Sequence, residues 1–117
     1  MEKYRAVFHL DEGNKGRVDM ALNNIDNLLA DLGENNVAVE LVTNGGGIVA
    51  LFKADNNPHA DRLARLAARG VRFAACANTL HSKGLTRDAL LDAVQVVPSG
   101  VGELVKRQTD GWAYIRP

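Results

Sequence analysis

Residues 71–84 read Val71-Arg72-Phe73-Ala74-Ala75-Cys76-Ala77-Asn78-Thr79-Leu80-His81-Ser82-Lys83-Gly84, and this stretch decides the fold. Its first half is short and apolar, framed by Gly70 and Gly84, which suits a buried strand better than a helix. Its second half turns polar and reads as the loop that the strand runs into. The same alternation repeats on both sides. Upstream, Asn57-Pro58 is a helix start signal, since asparagine caps and proline fits the first turn. The helix it opens carries Leu63, Leu66 and Ala67 inward, with His59 solvated in its first turn. Before it, Val37 to Val42 is a strand that ends at Thr43-Asn44-Gly45-Gly46-Gly47, and Ile48 to Phe52 forms one apolar turn. Further back, Ala21, Leu22, Ile25, Leu28, Leu29 and Leu32 recur at helical spacing within Arg17–Leu32, and Gly33 stops them. Tyr4 to Leu10 reads as the first strand. Downstream, Thr86 caps a short helix holding Ala89, Leu90 and Leu91. Val94 to Val97 is a fourth strand, halted by Pro98-Ser99-Gly100. Val101, Leu104 and Val105 mark a helix ending near Gly111, and Trp112 to Ile115 is a last strand.

Strands that alternate with helices over short connections imply βαβ units, parallel pairing and right-handed crossovers. The expectation is an α/β protein: a three-layer α/β/α sandwich on a mostly parallel five-stranded sheet, one domain over residues 1–117. Fourteen basic and fourteen acidic side chains cancel, so no electrostatic footprint for nucleic acid or an anionic membrane is present. Aromatic residues are 5% of the chain, too few for a base-stacking platform. No apolar stretch approaches the ~20 residues of a membrane span. One cysteine cannot form an intrachain disulfide and no signal peptide is evident, so a cytoplasmic location is expected.

In a parallel sheet the C-terminal strand ends share one side, where ligand crevices form. Here that edge collects His9, then Asn44, Gly45, Gly46 and Gly47, then Cys76 and Asn78, then Ser99 and Gly100, with His81 and Lys83 just beyond the cysteine. A thiol reacts as thiolate, which nearby cations or a helix start favour. His81, Lys83 and the start of the Thr86 helix are candidates for that task, while the plain alternative makes Cys76 a small packing residue. The triple glycine either offers backbone amides to an anion or supplies a turn needing positive φ. Gly13-Asn14-Lys15-Gly16 lacks the P-loop pattern, and no G-x-G-x-x-G follows the first strand. The three histidines are scattered, so neither a metal nor a cofactor is expected. Ser82 and Ser99 lack a nucleophile elbow. Trp112 and Tyr114 pack a terminal strand or a subunit contact.

The segment Cys76-Ala77-Asn78-Thr79-Leu80, with Gly84-Leu85, Val96-Val97-Pro98-Ser99-Gly100-Val101 and Trp112-Ala113-Tyr114-Ile115, resembles the DsrE/DsrF-like family of small sulfur-relay proteins. Asn27-Leu28-Leu29 and Asn44-Gly45-Gly46-Gly47-Ile48 resemble it too. The resemblance implies a flavodoxin-like domain that assembles into dimers, trimers or hexamers. It also implies sulfur carried as a persulfide on a cysteine at the position of Cys76, received from and passed to partner proteins. The expected function is therefore sulfur relay, a carrier with sulfurtransferase-like chemistry rather than a turnover enzyme. With one thiol in the chain, sulfur would leave to another molecule's thiol. Two other readings use the same residues with Cys76 as packing: a small-anion or metabolite binding module on the glycine-lined edge, and a structural oligomer subunit.

Overall fold

A computed structural model describes residues 2–117. Five strands, β1 (Tyr4–Leu10), β2 (Val37–Thr43), β3 (Arg72–Cys76), β4 (Val94–Val97) and β5 (Ala113–Ile115), form one sheet in the order β4-β3-β2-β1-β5. Every pair is parallel, so the sheet goes beyond the mostly parallel expectation. Four α-helices connect the strands: α1 (Lys15–Leu32), α2 (Ala60–Ala68), α3 (Ala77–Ser82) and α4 (Gly100–Thr109).

Topology fixes which face each helix takes. From β1 to β4 the chain steps one way across the sheet, then α4 carries it back over three strands to β5 on the far side of β1. Right-handed crossovers in opposite directions must lie on opposite faces. Accordingly α1 and α2 bury Val18, Leu22, Ile25, Leu63 and Leu66 against Phe8, Leu41 and Phe73. On the other face α4 buries Leu104 against a smaller cluster of Val7, Val42, Ala74 and Trp112. Side chains alternate between faces along a strand, so Cys76, two residues after Ala74, belongs to the α4 side.

Local chemistry explains the boundaries. Asn14 caps α1, its side chain accepting from Arg17 N at 2.9 Å. Gly33 closes α1 at φ +90°, a conformation other residues reach only with strain. Several expectations are corrected. The polar run after Cys76 is helix α3 and not a loop, because Leu80 is pulled into the larger core and Gly84, at φ +68°, ends the turn. The apolar turn is a 3-10 helix that already begins at Gly45 and ends at Leu51. Asn57 does not cap α2, which starts at Ala60. Its amide instead donates to the carbonyls of Ala50 and Phe52, and its carbonyl accepts from His59 N. His59 is not solvated but 8% exposed, its Nδ1 3.6 Å from Asp19. Burial, ahead of the opposing pull of Asp19, holds its pKa below the ordinary histidine value. Thr86 makes no side-chain cap; a single 3-10 turn, Arg87–Ala89, stands where a helix through Leu91 was expected, and Leu91 N donates to Leu51 O.

Candidate functional site

Cys76 is the last residue of β3 and the residue from which α3 springs, with extended backbone at φ −73°, ψ 120°. Ser99 holds the corresponding position before α4, its hydroxyl accepting from Gly102 N at 3.0 Å. The first residue of α4 must then press on the ends of β2 and β3, and Gly100 permits this. A methyl group there would stand 3.2 Å from Asn44 Cβ and 3.3 Å from Cys76 Cβ, tighter than normal packing. The sulfur-bearing side chain is therefore enclosed, 5% exposed, between two helix starts.

Four groups act on the thiol. Burial pushes it up, since a thiolate loses solvation in an apolar setting. Against this stand the Gly100 amide, the amide and hydroxyl of Thr79, and the Asn78 amide, and the balance falls below the ordinary thiol value. Thr79 Oγ1 accepts the Gly45 N–H at 2.9 Å, so its lone pair is engaged and its proton is free for sulfur. Gly45 thus serves the site through Thr79, at φ +52° in the glycine-favouring region. Gly46 and Gly47 have a different task. A Cβ on Gly47 would collide with the Leu10 carbonyl, and Gly46 packs on the Asp11 carbonyl, so the turn is built for close backbone approach.

Asn44 borders the same point and joins a polar relay along the edge. Its Oδ1 lies 3.0 Å from His9 Nε2, and His9 Nδ1 lies 2.7 Å from the Tyr114 hydroxyl. With Asn44 accepting, His9 carries its proton on Nε2 and accepts from Tyr114 on Nδ1. Arg116 stands at the outer end, paired with Asp11 at 3.0 Å.

The structure thus gathers Asn44, Gly45, Cys76, Asn78, Ser99 and Gly100, with Asn78 acting through its backbone and Ser99 as a cap. His81 on α3 and Lys83 just past its end are exposed and are not among the groups acting on the thiol. The expected stabilisation of the thiolate by cations is replaced by neutral donors. Thr79 was not singled out from sequence, although three residues after Cys76 it had to share the sulfur's side of a helix. Nor was the Tyr114–His9 pairing, which crosses from β1 to β5 and leaves no local signal. Among the described residues no helix is long and apolar enough to cross a membrane, and no cluster of three or more His, Cys, Asp or Glu is arranged for a metal ion.

The DsrE/DsrF-like family profile matches residues 6–117. The chain belongs to the DsrE/DsrF-like family. A solved structure of a protein of unknown function, MTH1491 from Methanobacterium thermoautotrophicum, is 46% identical and superposes with a TM-score of 0.92 over 97% of this chain and 99% of that one. The ychN protein from E. coli, at 16% identity, shares the fold with a TM-score of 0.77 over the full length of both chains. Comparison with curated protein sequences returns no match. The matched residues span β2 to β5, β1 from Ala6 onward and both helix starts around Cys76.

Proposed function

We propose that this DsrE/DsrF-like protein is a sulfur carrier that holds sulfane sulfur as a persulfide on Cys76. The observation that carries this reading is the seat of Cys76 at the end of β3, between the starts of α3 and α4, where Gly100, Thr79 and Asn78 lower the thiol pKa against burial. In loading, the Cys76 thiolate attacks the outer sulfur of a donor persulfide, R–S–SH. The new Cys76 S–S bond forms, the donor S–S bond breaks, and R–S⁻ leaves. In unloading, an acceptor thiolate attacks the outer sulfur and Cys76 departs as thiolate. No oxidant is consumed in either direction. Donors that stabilise the thiolate make Cys76 a good leaving group, as release requires.

One thiol per chain supports unloading to a partner's thiol. Donor and acceptor are proteins that present a cysteine to this edge, and the carrier works as a homo-oligomer in the cytoplasm. Val101 and Val105 on α4, 59% and 56% exposed, provide apolar surface for assembly beside the site. Cyanolysis after incubation with polysulfide tests the reading. Thiocyanate should be released in proportion to protein by the wild type and not by Cys76→Ser; equal release from both would refute it.

A further inference from the structure

Glu40 is a carboxylate in the middle of an apolar strand, and the Cys76 chemistry makes no use of it. Its side chain is 0% exposed on the α4 side of β2. Arg107 of α4 donates to Glu40 Oε1 at 2.8 Å and to Glu103 Oε2 at 3.2 Å, with its guanidinium 4.8 Å from the centre of the Trp112 ring. Glu40 Oε2 is fully buried and has no hydrogen-bond partner. On the flanking strands its register partners are Val7 and Arg72; Arg72 shares the face but is exposed to solvent, and Glu103 and Arg107 are the charges that act on Glu40. Two carboxylates share one cation, with Glu40 fully buried and Glu103 and Arg107 only partly exposed, an arrangement with a net charge that burial penalises. A proton on Glu40 removes that charge and lets the orphan oxygen donate to Glu103. Burial, then the bond and charge of Glu103, push the Glu40 carboxyl up to about 7 against the pull of Arg107.

What the cluster holds down is α4. That helix brings Glu103 and Arg107 to Glu40, and with its first residue it covers Cys76 and supplies the Gly100 amide. Cys76 is only 5% exposed, so a partner's thiol reaches its sulfur more readily when one of the covering helix starts moves.

We propose that Glu40, Glu103 and Arg107 form a proton latch on α4 that controls access to Cys76. With Glu40 protonated the cluster is neutral and α4 stays docked over the sulfur. With Glu40 ionised an unpartnered oxygen and a net negative charge lie beneath α4, water enters, and the start of the helix lifts. Glu40 is a positioning residue that never touches the transferred sulfur. The role of the latch in relay rests on the carrier reading above.

The test is the alkylation rate of Cys76 by iodoacetamide in the full chain between about pH 5 and pH 9. The rate is divided by the thiolate fraction read from ultraviolet absorbance, with hydrogen exchange of α4 amides alongside. For wild type the corrected rate should rise on the order of tenfold through neutrality as α4 protection falls, within what a raised carboxyl pKa supplies. Glu40→Gln, neutral throughout, should give a flat corrected rate and a protected α4. Glu103→Gln leaves Glu40 balanced by Arg107, should be equally flat, and decides the matter if Glu40→Gln does not fold. Variant profiles that superpose on wild type overturn the latch. Persulfide loading of the same samples separates the two ideas. A wild type with the pH-dependent opening but no sulfur uptake overturns the carrier alone; one that loads sulfur, with variants unchanged in access, overturns the latch alone.

Discussion

Replacing Glu40 by glutamine removes, among the described residues, the charged side chain that is fully buried. The Glu40 carboxyl rises from 4.5 to about 7 on folding, first through burial and then through Glu103. Between those values the folded chain binds more protons than the unfolded one, so stability must fall as pH rises. The contribution is fully present below the unfolded value and is lost as pH passes through about 7. At 1.36 kcal/mol per unit of pKa, the whole loss is about 3 kcal/mol, a large share of a small domain's stability. Glutamine is nearly isosteric, can accept from Arg107 and can donate to Glu103 from the position of the orphan oxygen. The assay is urea unfolding of both proteins at several pH values from about 4 to 8.5, compared as a difference so that other titrations cancel. The two should be nearly equal at the acidic end, with Glu40→Gln the more stable by up to about 3 kcal/mol at the alkaline end. Two stability curves that run parallel across the whole range would refute the reasoning.

Other perturbations follow from the same geometry. Thr79→Val removes the hydroxyl donor to sulfur, so the Cys76 pKa should rise and alkylation at neutral pH should slow by about tenfold, the scale of one hydrogen bond to a charged group. Gly100→Ala forces a methyl between Cys76 and Asn44 and should cost about 1–3 kcal/mol in chemical denaturation while also raising the thiol pKa. His59 is buried with its pKa lowered, so the stability it gives is present above its unfolded value and declines as pH falls below it. His59→Gln should therefore flatten the acid side of the stability profile, opposite in sign to the Glu40 effect and read by the same titration.

Much of this fold is written in local pattern. Tyr4–Leu10 and the Gly33 stop need nothing beyond periodicity and backbone sterics, and both stand where those place them. The misreadings occur where tertiary contacts override local signals. Ala77–Ser82 is polar enough for a loop, but one buried side chain, Leu80, is sufficient to fix a helical turn on the core. Asn57 looks like a cap and serves instead as a bridge between the 3-10 turn and α2. For the site, Cys76, Asn44 and Gly100 were legible because topology brings strand ends to one edge. Charge and sequence proximity point to His81 and Lys83, whereas the groups on the thiol are dipoles set by helix geometry, which sequence distance does not convey. Glu40 carried a signal that the strand reading passed over, a lone charge within Val37–Thr43.

The most direct test of Cys76 as a sulfur carrier is the intact mass of the reduced protein after exposure to a persulfide donor, with Cys76→Ser alongside. A carrier gains the mass of one sulfur atom in the wild type alone and loses it on treatment with a thiol. No adduct on the wild type, or the same adduct on Cys76→Ser, would contradict that role.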